Sequence, residues 1–208
     1  MSPKTLKRWP RTLLVIILLI CLTIALSWGY WATSGHRFTT ITPDRVYQSA
    51  VIPAEDLPAT VRDKKLKAVI DLRTNESTDF PPQEEGRLLE KLGVRYYHLP
   101  SKQVPEEETV AAFLKIAADP DNYPMLIHCH HGEGRSVLFA AIYRIEFEGW
   151  NNEKARKATR LLHFRGTFGP DGEKGAFLRA YAPRLTAAKA PPEPPTTSAN
   201  DSDRWKEQ

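Results

Sequence analysis

A cysteine and an arginine with five residues between them stand in the stretch Met125-Leu126-Ile127-His128-Cys129-His130-His131-Gly132-Glu133-Gly134-Arg135-Ser136. An apolar run leads into it, and an apolar, helix-like run from Val137 to Trp150 leads out. Those residue types at that spacing can hold a phosphate dianion while a thiolate attacks phosphorus. The dianion needs a loop whose backbone N–H groups point inward, closed by a helix N-terminus. Here the loop is His130, His131, Gly132, Glu133, Gly134 and Arg135, with Gly132 and Gly134 allowing the unusual backbone angles it requires. Arg135 would clamp two phosphate oxygens in a bidentate way and hold them better as the transition state develops. The same N–H groups and helix end favour the Cys129 thiolate, lowering a thiol pKa of about 8.5 to between ~4 and ~7. His128 would orient the loop through its ring, and Ser136 would donate to the sulfur.

The elements that must position this loop follow from the pattern on either side. Arg45 to Ser49, Leu66 to Leu72, Val94 to Leu99 and Met125 to His128 read as strands. Between and after them, helices are expected over Ala54 to Lys65, Gln83 to Leu92, Pro105 to Ala118, Ser136 to Glu148, Asn151 or Asn152 to Phe164, and Ala176 to Tyr181. Gly93 closes the second helix, and Pro105 opens the third at its favoured first position. Strands alternating with helices predict an α/β domain with a central, mostly parallel sheet flanked by helices.

The run His-Cys-x5-Arg-Ser resembles the signature of the cysteine-dependent protein tyrosine phosphatases, particularly their compact dual-specificity and atypical bacterial members. Further stretches carry the likeness. Arg45-Val46-Tyr47-Gln48-Ser49-Ala50 is similar to the opening of such domains, with Gln48 in place of the usual Arg. Val69-Ile70-Asp71-Leu72-Arg73 resembles their second-strand motif, Tyr96-Tyr97-His98-Leu99-Pro100 the strand before the general-acid loop, and Ala140-Ala141-Ile142-Tyr143-Arg144 the helix after the phosphate loop. The resemblance covers about Arg45 to Tyr181. It implies a phosphatase-like fold and hydrolysis of phosphate monoesters through a cysteinyl-phosphate that water then cleaves, with no metal or other cofactor.

One part of the family pattern is missing. The resemblance implies a carboxylic acid just after Pro100, to protonate the leaving oxygen and later activate water. That loop reads Ser101-Lys102-Gln103-Val104. Asp71, at the end of a strand expected beside the phosphate loop, is the first candidate for a catalytic acid. Its alternative role is a strand-end hydrogen bond or a pair with Arg73. Glu106, Glu133 and Asp171 are the other candidates. His130 and His131 do not suggest a metal site, because adjacent histidines in a tight loop point apart. They shape the mouth of the pocket and add positive charge when protonated. Glu133 at the rim disfavours highly charged substrates. Phe164 and Phe168 are expected in packing, with substrate stacking as the alternative for Phe168.

The formal charge of +4 is carried by the N-terminus. Lys4, Lys7, Arg8 and Arg11 precede the first apolar segment; without these four, 25 basic residues face 25 acidic ones. The body is therefore not a basic nucleic-acid binder. Thr12 to Trp31 carries no charge and spans roughly 30 Å as a helix, the thickness of a bilayer core. Trp28, Tyr30 and Trp31 crowd its far end as interfacial aromatics do. The expected order is a basic flank (1–11), a transmembrane signal anchor (12–31), a linker (32–44), a phosphatase domain (45–188) and a disordered tail (189–208). The basic flank places the N-terminus in the cytoplasm and the catalytic domain outside, in the periplasm if the source is bacterial. A cleaved signal peptide is the competing assignment.

The expected partners are thus the membrane, through the N-terminal helix, and a phosphoprotein or other phosphomonoester. Three functions compete: a membrane-anchored phosphatase for phosphotyrosine and for phosphoserine or phosphothreonine, a lipid or small-molecule phosphatase, and a pseudophosphatase that binds phosphate without turnover. A fourth, arsenate reduction, uses a similar loop but carries it near the start of its domain with further cysteines, and neither holds here.

Overall fold

The computed structural model describes residues 11–32, 35–74, 80–160 and 166–185. Most of the basic flank, Phe164, the loop after Asn75 and the tail from Lys189 lie outside the described residues. Those described fall in two compact units, Met1–Gln103 with Tyr123–Ala140, and Val104–Asn122 with Ala141–Gln208.

The first unit is an α/β layer. Helix α1 (Arg11–Ala32) is followed by β1 (Thr39–Thr42), β2 (Val46–Ser49), α2 (Leu57–Lys64), β3 (Ala68–Asp71), α3 (Pro82–Lys91), β4 (Arg95–His98) and β5 (Met125–His128). The sheet order is β1-β2-β5-β3-β4, with β1 antiparallel to β2 and every other pairing parallel. The mostly parallel sheet expected from the alternation of elements is therefore present. Val69 and Leu126 from inner strands join Tyr47, and Leu57, Val61 and Leu89 from α2 and α3 close over them to form one apolar core. Burial of these side chains is the main driving force for this layer, at about 25 cal/mol per Å² of apolar surface removed from water.

Several boundaries differ from the sequence pattern. Thr39–Thr42 lies in the stretch expected to be linker, yet it pairs with β2, Thr39 opposite Gln48 and Thr40 opposite Tyr47. A four-residue polar strand at a sheet edge has no apolar alternation to announce it. Helix α2 starts at Leu57 rather than Ala54, because the Asp56 and Leu57 N–H groups both bond the Pro53 carbonyl in a preceding turn. Gly93 ends the α3 region as expected, with φ +73 in the left-handed region that glycine tolerates.

The second unit is helical: α4 (Glu107–Ala118), the later turns of α5 (Arg135–Phe147), α6 (Asn152–Arg160) and α7 (Glu173–Ala180). Helix α4 begins two residues beyond Pro105, since Glu106 stays extended (ψ 161°) and acts as the N-cap position. Asn151 caps α6, its Oδ1 accepting the Lys154 N–H at 2.8 Å. A buried carboxylate, Glu146, accepts the Tyr181 hydroxyl at 2.5 Å and the N–H groups of Arg184 and Leu185. Phe168 is buried, which places it in packing rather than at an exposed stacking position.

Helix α1 has 22 residues and is about 33 Å long at 1.5 Å per residue. Its segment Thr12–Tyr30 is long and apolar enough to cross a membrane, and none of it is covered by the rest of the described chain.

Candidate active site

Strand β5 lies between β2 and β3, and Cys129 follows its last residue. In parallel register His128 sits beside both Ser49 and Asp71. The strand ends of β2 and β3 therefore flank the loop that runs from Cys129 to the start of α5 at Arg135. The loop's left-handed residue is Gly132, with φ +66, and a Cβ there would stand 2.5 Å from the Ala50 backbone nitrogen. Glycine is required at this position for both reasons, since the loop passes against the end of β2. Gly134 has a different task from the one its type suggested: its carbonyl accepts the Leu138 N–H and begins α5.

Cys129 is 3 % exposed, with Sγ 3.3 Å from the Ser136 hydroxyl. Burial pushes its thiol pKa up. The Ser136 hydroxyl and N–H, the Arg135 charge and the Gly132 N–H outweigh burial and hold it below the ordinary thiol value. Ser136 is itself oriented by Gln48, whose Nε2 donates to the Ser136 Oγ and to the Gly132 carbonyl, both at 3.0 Å. With a lone pair so engaged, the single hydroxyl proton points toward Cys129 or toward the Ser49 carbonyl 3.3 Å away. When the sulfur is anionic, the charge-assisted bond to sulfur is the stronger choice. The role of Gln48 was not evident from its residue type; its place in the Tyr-Gln-Ser segment at the end of β2 was the available signal.

Arg135 is held between two backbone carbonyls, its Nη1 donating to Leu72 at 2.9 Å and to Ser101 at 3.4 Å. The guanidinium carries five N–H donors, so Nε and Nη2 remain for two phosphate oxygens. Leu72 directly follows β3, and Ser101 opens the loop where a catalytic carboxylate was expected. The buried Ser101 thus gives its carbonyl to the Arg135 guanidinium, and its side chain offers no carboxyl.

Beside Cys129, around the end of β3, lies a buried charge cluster. Arg73, 1 % exposed, donates from Nε and Nη2 to Asp71, from Nη2 to Glu85 and from Nη1 to the Phe80 carbonyl. Asp71 also accepts the Arg73 backbone N–H at 2.9 Å and the Tyr96 hydroxyl at 2.7 Å. Burial alone would push the Asp71 carboxyl up; the His128 and Arg73 charges and the Arg73 hydrogen bonds reverse this and hold it at about 2.

Buried and bonded in this way, Asp71 has the geometry of an ion-pair partner of Arg73. A group held ionised and ringed by donors carries no proton to give near neutral pH. The pair with Arg73 is what forms.

His128 also departs from expectation. Its ring nitrogens make no hydrogen bond to the loop. Nε2 lies 3.2 Å from Glu85 Oε1 and 3.8 Å from Asp71 Oδ1, close enough for an ion pair but off the hydrogen-bond direction. Burial pushes its pKa down, yet Glu85 and Asp71 outweigh burial and raise it. Whenever His128 is protonated, its charge and that of Arg73 balance the two carboxylates they face.

The oxygens and nitrogen of Asp71, Glu85 and His128 lie within 4.8 Å of one another, a spacing a metal ion accepts. The Arg73 guanidinium bonds both carboxylates and fills that place as the cation. His130 and His131 pack edge to face with ring centroids 4.4 Å apart, so the two rings lie against each other instead of pointing apart. Glu133 pairs with Arg37 at 2.8 Å. Glu106 and Asp171 are exposed residues of the second unit.

A family model described as "DSP-PTPase phosphatase fused to NAD+ Kinase" matches residues 45–169, more than half of the chain. The chain is 28 % identical over 130 residues to the dual specificity protein phosphatase TpbA of Pseudomonas aeruginosa strain UCBPP-PA14, covering 62 % of this chain and 54 % of that one. It spans about half the length of the curated relatives it matches first. Among solved structures, the core catalytic domain of the PP-IP phosphatase SIW14 from S. cerevisiae aligns with TM-score 0.58 and 22 % identity, over 70 % of this chain and 85 % of that one. The P. aeruginosa TpbA structure aligns with TM-score 0.55 and 25 % identity, over 72 % and 87 %.

Proposed function

Because the chain belongs to the family of DSP-PTPase phosphatase domains described as fused to NAD+ kinase, we propose that it hydrolyses phosphate monoesters of phosphotyrosine, and of phosphoserine or phosphothreonine, by way of a cysteinyl-phosphate. The Cys129 thiolate attacks phosphorus, the P–O bond to the leaving group breaks, and Arg135 with the loop N–H groups holds the three remaining oxygens. Water then attacks phosphorus, the S–P bond breaks, and inorganic phosphate leaves while the sulfur departs as a thiolate steadied by Ser136. The observation that carries the proposal is Cys129 Sγ, buried 3.3 Å from Ser136 Oγ at the foot of a loop closed by Arg135. The dual-specificity description of TpbA supports the protein-phosphate substrates.

With Ser101-Lys102-Gln103-Val104 in the acid loop and Asp71 held ionised, the substrates turned over fastest are aryl esters, whose leaving oxygen needs little help from an acid. The same loop motivates a second possibility, a module that binds phosphate without turnover. Helix α1 serves as a membrane anchor in this proposal, supported by its length, its apolar composition and the basic residues before it. That basic flank puts the N-terminus in the cytoplasm and the catalytic residues on the far side.

The test is steady-state hydrolysis of an aryl phosphate by the full chain in detergent, beside Cys129→Ser. Wild-type turnover that falls by about 10³-fold or more in the variant is expected, as for loss of a covalent nucleophile. Tight phosphate binding with no wild-type turnover would establish the binding module instead. A C-terminal alkaline phosphatase fusion that is inactive in a bacterial host would overturn the orientation.

A further inference from the structure

A second charged side chain reaches the phosphate loop from far away in sequence. Gly35, His36 and Arg37 form a turn shortly after α1, and its Gly35 N–H bonds the Tyr30 carbonyl at 2.8 Å. His36 and Arg37 both have positive φ, 49° and 50°, a conformation that side chains with a Cβ disfavour. The turn is held against the active-site end of the sheet: the Ala50 N–H donates to the His36 carbonyl at 2.8 Å. From there Arg37 extends to the loop. Its Nη1 donates to the His131 carbonyl at 2.8 Å, and its Nη2 lies 2.8 Å from Glu133 Oε1.

Glu133 sits within a loop built to receive a dianion, where an uncompensated carboxylate repels the substrate. The Arg37–Glu133 side chains are 25 % and 30 % exposed, so the pair is partly shielded from water and salt. We propose that Arg37 is a positioning residue that sets the phosphate affinity of the site by neutralising Glu133, its bond to the His131 carbonyl keeping the guanidinium at the loop. The proposal rests on the phosphate-binding reading of the Cys129 loop. It does not require turnover. Counted at the rim, the pair contributes no net charge; removing Arg37 alone leaves −1, removing the Glu133 charge alone leaves +1, and removing both restores zero.

The experiment is calorimetric titration of inorganic phosphate into the full chain in detergent, with Arg37→Gln, Glu133→Gln and the double variant. Thermal melts of each show that the variants are folded, and Arg37→Lys serves as a charge-retaining replacement if the glutamine variant is not. Arg37→Gln should weaken phosphate by about 3- to 10-fold, the range for one partly exposed unit charge near the ligand. Glu133→Gln should tighten it, and the double variant should return to within about twofold of wild type by the same charge count. A retained charge in Arg37→Lys should keep wild-type affinity. KM for an aryl phosphate should move in the same order where turnover exists.

Phosphate affinity unchanged in Arg37→Gln, or a double variant as weak as Arg37→Gln, would overturn the proposal. Wild type that binds phosphate and hydrolyses nothing defeats the enzymatic reading alone, with the charge relation still decided by binding. Wild type that binds no phosphate defeats both.

Discussion

Replacing Asp71 by asparagine separates a structural carboxylate from a catalytic acid. Asp71 is fully buried, accepts three bonds from Arg73 side-chain nitrogens and one from Tyr96, and is held at about 2 against an ordinary 3.8. That depression corresponds to roughly 2 kcal/mol of native-state stability at neutral pH, at about 1.4 kcal/mol per pKa unit. Because the folded-state pKa is lowered, this stability is present above 3.8 and is lost as pH falls toward 2. Removing the charge also leaves Arg73 and His128 facing Glu85 alone, and breaking a buried pair costs about 3–5 kcal/mol. Asp71→Asn is therefore expected to lower the unfolding free energy by roughly 2–5 kcal/mol at pH 7. Tryptophan fluorescence during urea denaturation in detergent measures it.

The kinetic half of the experiment uses aryl phosphates of graded leaving-group basicity, below the melting temperature of both proteins. A structural Asp71 predicts a similar fractional loss of kcat/KM for every ester, since the loop is displaced rather than the proton. Unchanged denaturation, with activity lost only for the most basic leaving groups, would refute the reasoning and make Asp71 the acid.

Ser136→Ala removes the hydroxyl that Gln48 orients toward Cys129 and should move the thiolate titration toward the ordinary thiol range; the pH dependence of iodoacetamide alkylation reads this directly. The same variant should slow hydrolysis of the cysteinyl-phosphate more than its formation, seen as a larger pre-steady-state burst relative to turnover. Glu85→Gln takes away the carboxylate nearest His128 and should destabilise the fold by about 3–5 kcal/mol in mild acid. His128 has a raised pKa, so the part of this loss that it carries is fully present below 6.5 and disappears as pH rises through its folded-state value. The gap between wild type and Glu85→Gln in denaturant midpoint should narrow accordingly on going alkaline.

Much of the candidate site was legible in the sequence, because it is nearly contiguous. A strand, a seven-residue loop and a helix start are set by local backbone preferences, and Cys129, Gly132, Arg135 and Ser136 are all within them. The parallel sheet was legible for a related reason: Leu66 to Leu72 and Met125 to His128 are short apolar runs bounded by turns, which only a sheet buried on both faces accommodates. Thr39–Thr42 was not legible, being short, polar and stabilised by its pairing with β2.

The chain by itself thus determined the chemistry offered, a thiol and a guanidinium at the spacing that encloses a phosphate, together with an apolar helix ahead of them. Tertiary structure decided the electrical state of the groups around that chemistry. Asp71 sat near the loop on sequence grounds, but its partners are Arg73 just past β3, Tyr96 on β4 and His128 at the end of β5, and the His128 and Arg73 charges favour its anion. Glu133 was a repulsive rim charge until Arg37 folded back onto it. A side chain's type sets which charges it can carry. Burial and the charges brought within a few ångströms by distant segments set which one it does carry, since each acts on the free energy of ionisation and neither is written in the local sequence.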